Sequence, residues 1–270
     1  MIFFVSMLSF VQIIFESLPV SSSGHVALLK QWLQRSVDSS LLIADQYEQA
    51  ITYVLHGPTI IILFLLLFPI WWDLILGRPM QFEALFEQQS RCRVWRLIFF
   101  GGIADGITFF AWWLDLIVPL SLTIGFMITA IFLYSTRFKL NGKEQFDMNF
   151  SYAFYLGLGQ ALSLSPGISR FATTFAVGRW RGYSNKISFV VSFLIQMPLL
   201  GAAFCKGLIT LSKNSVVFKL FFSWQMIGLI VIASVISYYA FCLAYCLAMK
   251  NKLWCFSWYM IMIAMLSLFV

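Results

Sequence analysis

Charge is scarce in this chain of 270 residues: Asp, Glu, Lys and Arg make up 11% of it, while hydrophobic residues reach 61%. A soluble globular domain carries roughly 25% charged residues. So little charge cannot cover a water-exposed surface, which excludes a soluble enzyme and a disordered chain. Histidine occurs only twice, and the five cysteines (Cys92, Cys205, Cys242, Cys246, Cys255) contain no Cys-x-x-Cys pair. Neither a disulfide scaffold nor a cysteine-based metal site is therefore expected. The first fifteen residues hold no Lys or Arg, and Glu16 and Pro19 stand where a cleavage site would need small residues. That stretch is expected to stay in the mature protein. The net charge of +7 is spread over short loops rather than gathered in a patch. Nucleic acid is not an expected partner, and the excess reads as the positive-inside bias of a membrane protein.

What the chain has in abundance is long apolar runs. Residues 51–72, 97–113, 120–136, 187–205, 222–249 and 253–270 are each long enough, or nearly so, to cross about 30 Å of hydrocarbon. Two further apolar stretches are broken. Residues 1–29 are interrupted by Glu16, Pro19 and Ser21-Ser22-Ser23-Gly24, and residues 150–178 by Ser163, Ser165, Pro166, Gly167 and Ser169. Each reads as two short helices meeting at a polar turn. Irregular backbone at membrane depth is tolerated only when buried in protein or facing a watery cavity.

The expected fold is an all-α polytopic membrane protein, one domain over 1–270, with six transmembrane helices and two broken, re-entrant helix pairs. Three spans separate the broken pairs, so the halves, about 1–136 and 150–270, should be inverted repeats. Broken helices at matching places in inverted halves point to a site near the midplane. With each broken pair entering and leaving on one face, twelve basic residues collect on one side and five on the other. The richer side is then cytoplasmic and both termini lie outside. Seventeen of the eighteen basic residues are thereby placed in loops, and Arg170 alone falls inside a broken segment.

Polar groups at membrane depth are expensive, so those present are candidates for function. The first broken segment offers Gln12, Glu16, Ser21, Ser22, Ser23 and His25, and the second Gln160, Ser163, Ser165, Ser169, Arg170, Thr173 and Thr174. Gln12 and Glu16, four apart, share a helix face. Ser169-Arg170 follows Pro166-Gly167 at an expected helix start, where free N–H groups and the helix dipole favour an anion. A guanidinium fork beside such a terminus suits phosphate. His56, beside Gly57-Pro58, is expected to be a satisfied intrahelical histidine. Asp115 reads as a solvated loop residue, and Asp105 is left open.

The stretches QIIFESLPVSSSGH (Gln12 to His25) and GQALSLSPGISRFATT (Gly159 to Thr174) resemble the two signature regions of the undecaprenyl-diphosphate phosphatase family, the bacitracin-resistance membrane phosphatases. The first matches an (E/Q)xxxE element running into LPVSS-x-GH, and the second a PGxSR-xxxT element. VLHGPT (Val54 to Thr59) and SFLIQMP (Ser192 to Pro198) are weaker echoes. Ser23-Gly24-His25 is also similar to an element of the phosphatidic-acid-phosphatase type 2 superfamily. That chemistry needs a second His after a Ser-Arg pair, and none follows Ser169-Arg170.

The resemblance implies a hydrolase of the bacterial inner membrane that cleaves undecaprenyl or another polyprenyl diphosphate to the monophosphate. Such an enzyme recycles the lipid carrier of cell-wall synthesis and confers bacitracin resistance. Its site would open toward the outer face. Glu16, Ser22, His25 and Arg170 are the expected catalytic residues. Ser21, Ser23, Gly24, Gly167, Ser169 and Thr174 are the expected substrate contacts. Glu16 with Gln12 would hold a divalent cation, Mg²⁺ or Ca²⁺. His25 could act as the base, with Ser22 or a water as nucleophile. Three departures mark a divergent member: Phe171 where the family usually has Ser, Val190 where it tends to be acidic, and Gln12 where Glu is commoner. One carboxylate fewer bears directly on metal dependence. The alternative is a prenyl-phosphate transporter or flippase using the same anion site.

Overall fold

The computed structural model describes residues 2–36, 45–68, 90–114, 116, 120–138 and 148–270. Arg78, Lys139, Lys143, Asp115 and the end of the first expected span lie outside the described residues. The described elements are helical throughout. Helices α1 (Ile2–Glu16) and α2 (Ser22–Ser36) form the first broken pair, followed by α3 (Asp45–Val54), α4 (His56–Leu66), α5 (Ser90–Trp113) and α6 (Leu122–Ser135). The second broken pair is α7 (Phe150–Leu162) and α8 (Arg170–Trp180). After it come α9 (Asn185–Ser212), α10 (Ser215–Phe221), α11 (Trp224–Met249) and α12 (Phe256–Leu266).

Local sequence explains the boundaries. Ser121, Ser169, Ser184 and Ser223 cap α6, α8, α9 and α11, each accepting a bond from the backbone N–H three residues on. Pro58 has no N–H to return to the carbonyl of Val54, and the helix breaks at Leu55, dividing α3 from α4. Among the described residues, three stretches are long and apolar enough to cross a membrane: Tyr47–Leu66, Asn185–Ser212 and Trp224–Met249. Phe3–Glu16, Leu122–Ser135 and Leu253–Leu266 are shorter apolar helices.

Some boundaries differ from expectation. The first span begins before residue 51, because Asp45–Val54 is already helical. Helix α9 runs on to Ser212, carrying Lys206 on a helix rather than in a loop. There Lys206 lies over the rings of Tyr53 and Trp112, at 5.6 and 4.7 Å. Arg179 is also no loop residue. It is buried in the last turn of α8, where its Nη1 donates to the carbonyl of Tyr183 at 2.5 Å.

Packing between the halves is reciprocal. Helix α1 packs on α11, and α5 on α7; α3 and α4 pack on α9, and α6 packs on α12. One core gathers Phe4, Leu8 and Ile13 of α1 with α2, α3, α10 and α11. The other is built around α6 to α9, α11 and α12. Large apolar side chains such as Leu65, Phe99, Trp113, Ile131, Ile232 and Tyr239 remain on the outer surface, as expected of walls facing lipid tails.

The turns of the two broken pairs meet on glycine. A Cβ on Gly24 would stand 2.6 Å from Cα of Gly167, and one on Gly125 of α6 would stand 2.2 Å from the carbonyl oxygen of Pro166. Gly167 has φ +88° and itself lies against α6. Thr129 of α6 ties this turn down. Its Oγ1 donates to the carbonyl of Gly167 at 2.8 Å and accepts from the N–H of Ser169 at 2.9 Å.

Gly125→Ala is expected to destabilise the protein by about 1–3 kcal/mol or more, through forced backbone displacement. Gly106→Ala, with nothing within 4 Å of an added Cβ, should leave the melting temperature unchanged. Thr129→Val keeps the shape but strands a buried carbonyl and a buried amide, at about 1–3 kcal/mol for each unsatisfied group. Thermal unfolding in detergent measures all three.

Candidate functional site

Glu16 ends α1 because Pro19 stops the helix, and its carboxylate therefore stands at the turn rather than inside a helix wall. Its Oε2 accepts from Gln12 Nε2 at 2.9 Å, one helical turn back, and from Ser22 Oγ across the turn. Its Oε1 is turned to His56 Nδ1, 3.7 Å away on α4. Ser21 adopts φ +57°, a left-handed conformation that L-residues rarely take. From there its hydroxyl accepts from the N–H of Gly24 at 3.3 Å and its carbonyl receives the N–H of His25 at 3.2 Å.

The second broken pair presents Arg170 as the first residue of α8, with Ser169 as its cap. The guanidinium is steadied by Ser163 Oγ, which accepts from Nε at 3.3 Å. Glu16 and Asp105 are the carboxylates whose charge acts on it, and Tyr53 is a third neighbour. Gln160 accepts from Thr108 Oγ1 at 3.3 Å and donates to the carbonyl of Ile195 at 3.3 Å. A guanidinium thus sits opposite a carboxylate on another chain segment, beside the open N–H groups of a helix start.

Apart from Asp105, Thr108 and Gln160, these groups line one cavity of about 720 Å³. Gln12, Glu16, Ser21, Ser22, Ser23, Ser169 and Arg170 all reach it, so the two motifs converge as their sequence positions suggest. Four expected residues are not in its lining. Gly24 and Gly167 are spent on the close backbone contact between the turns. Thr174 is fully buried, and its Oγ1 donates back to the carbonyls of Arg170 and Phe171 within its own helix. His25 is the larger departure. Its Nδ1 is bonded to the carbonyl of Ser21 at 2.8 Å and its Nε2 to the hydroxyl of Tyr259 at 2.9 Å. The ring lies among Phe15, Phe126 and Tyr259. With both nitrogens engaged away from the cavity, the imidazole holds the Ser21 turn in place.

The structure adds residues that the sequence reading did not assign to a site. Lys30, Glu48, Gln49, Thr52, Tyr53 and Gln196 also line the cavity. His56, expected to be satisfied within its helix, lines it too, and its Nδ1 has no hydrogen-bond partner. Lys30 of α2 and Glu48 of α3 form an ion pair at 3.0 Å. Positions 48, 49, 52, 53 and 56 recur at helical spacing, a polar stripe that a 3.6-residue period would have exposed. A second, apolar cavity of about 470 Å³ is lined by Val20, Leu247, Cys255, Phe256 and Tyr259, and Phe15 and Leu18 line both cavities.

Two of the three departures from the signature, Phe171 and Val190, lie in the wall behind Arg170. Phe171 stacks on Phe193 at 4.4 Å and meets Phe189 edge-on at 5.1 Å, while Val190 is buried in the adjoining core. Apolar packing thus occupies both positions.

The chain matches the family of the bacitracin resistance protein BacA over residues 5–266. It is 28% identical to an undecaprenyl-diphosphatase of Thermotoga sp. strain RQ2, with 98% of each chain covered. It is 27% identical to one of Thermotoga maritima over 97% of each. An undecaprenyl-diphosphatase of Halothermothrix orenii is 29% identical over 75% of this chain and 73% of its own. The match runs through both broken pairs and every helix between them, and on it the chain belongs to the BacA family of polytopic membrane proteins.

Proposed function

We propose that this protein hydrolyses a polyprenyl diphosphate, undecaprenyl diphosphate foremost, to the monophosphate and inorganic phosphate. The observation that carries this reading is the meeting of Arg170 with Glu16 and Ser22 in one cavity. Binding an anion calls for the guanidinium and the helix start alone. A carboxylate that accepts from a serine hydroxyl beside them is the equipment of phosphoryl transfer.

In this reading Arg170 and the first N–H groups of α8 hold the terminal phosphoryl oxygens and offset the charge that builds there. Ser22 Oγ attacks the terminal phosphorus as its proton passes to Glu16. The bond from phosphorus to the bridging oxygen breaks, and the prenyl monophosphate leaves. Water then cleaves the phosphoserine, releasing inorganic phosphate and restoring the hydroxyl. The base is Glu16 rather than His25, because Glu16 accepts from Ser22 whereas His25 is held by Ser21 and Tyr259.

No three His, Cys, Asp or Glu side chains gather among the described residues, so a divalent cation would draw on a mixed set of one carboxylate, one imidazole and one amide. Gln12 Oε1 is buried without a hydrogen-bond partner, and Glu16 Oε1 and His56 Nδ1 stand apart, unbonded to each other. Gln12 and Glu16 would hold the ion, which supplies charge neutralisation at the phosphates. The reciprocal packing of α1 with α11 and of α5 with α7 supports two inverted repeats, and the family resemblance implies a site open to the outer face.

Inorganic phosphate released from farnesyl or undecaprenyl diphosphate by purified protein in detergent is the test. Arg170→Ala, Glu16→Gln and Ser22→Ala should each lower the rate by about 10²–10³-fold. Arg170→Lys should fall with them, since an ammonium lacks the planar fork. Unchanged rates in all three single variants would sink the assignment. Lipid movement across vesicles with no phosphate release would favour the transporter reading.

A further inference from the structure

His56 is placed at the cavity by its own neighbours. Pro58 breaks the helix at Leu55, so His56 opens α4, and Gly57 lets that turn press on the ring of Phe204, where a Cβ would stand 2.6 Å away. The imidazole thereby faces Glu16. Its Nδ1 is buried and has no hydrogen-bond partner. The 3.7 Å to Glu16 Oε1 is too long for a hydrogen bond. Two donors bound to one small ion at about 2.0–2.2 Å each stand about 3.0–3.5 Å apart. A shift of a few tenths of an ångström brings the pair into that range.

Glu16 Oε2 is already committed to Gln12 and Ser22, which leaves Oε1 for a ligand on the His56 side. Gln12, 1% exposed, bonds Glu16 through Nε2, which leaves its partnerless Oε1 available as a third donor. We infer that His56 is a nitrogen donor to the cation held at Glu16 and Gln12, and that it turns this site from Mg²⁺ or Ca²⁺ toward a first-row transition ion of the Co²⁺ or Zn²⁺ type. This rests on the reading that a divalent cation binds at Glu16. Hard ions such as Mg²⁺ and Ca²⁺ take oxygen donors, whereas imidazole suits the later transition ions. An amide at position 12 binds hard ions less strongly than a carboxylate would, and the imidazole supplies the missing donor strength with a different preference.

Metal-free, full-length protein in detergent is titrated with Co²⁺, followed by its visible absorption, and with Mg²⁺ in competition. His56→Leu and His56→Gln should each weaken Co²⁺ binding by about tenfold or more and alter the absorption band, with Mg²⁺ affinity changed by less than about threefold. Retained Mg²⁺ binding also shows that these variants are folded. Glu16→Gln should weaken both metals. Co²⁺ affinity and spectrum unchanged in both His56 variants would overturn the inference while leaving the cation at Glu16 standing. Equal losses of Co²⁺ and Mg²⁺ would overturn the claim of selectivity. Wild-type binding of both ions by Glu16→Gln would remove the cation reading itself, and the inference with it.

Discussion

A peptide group inside a bilayer has no water to bond with, and the two polar turns of this protein exist only because other backbone takes water's place. The contact between Gly24, Gly167 and Gly125 is the means. It seats one turn directly on the other and both on α6, closely enough for a single threonine hydroxyl to satisfy a carbonyl and an amide. Everything polar in the cavity is placed relative to that contact. Ser22 and Arg170, 148 positions apart in the sequence, face one space because the glycines let their turns touch.

The bilayer made the coarse fold legible. Apolar runs had to be helices of a certain length, and the Pro, Gly and Ser clusters at 19–24 and 163–169 had to interrupt them. The two motifs then named most of the cavity's polar lining. Side-chain direction was harder to read. Ser22, Ser23, Val26, Ala27 and Lys30 define the cavity face of α2. At about 100° per residue His25 lies roughly 130° from the centre of that face. Adjacency in a motif suggested a base, and helical geometry turned it into a support for the Ser21 turn. The α3 stripe was missed for a different reason: a span begun at residue 51 cuts off Glu48 and Gln49 and hides the period. Asp105 could not be assigned at all, since Arg170, the cation its charge acts on, belongs to the other half of the chain.

The places where this chain departs from the signature of its family are not equivalent. Phe171 and Val190 replace polar positions with packing, and the aromatic group around Phe189 and Phe193 absorbs them. Gln12 is different, because it stays polar, buried and aimed at Glu16. A wall position can exchange chemistry for volume with only local repacking. A donor position changes what the carboxylate beside it can hold.

Phe15 and Leu18 belong to the polar cavity on one side and the apolar one on the other. They form a partition between a cavity of mixed lining that holds the charged groups and one that is almost wholly apolar. An amphiphile astride it would have its charged end and its hydrocarbon end read by the same pair of residues. Fit for the tail and alignment of the head group are then mechanically linked, and neither can be retuned at the partition without disturbing the other.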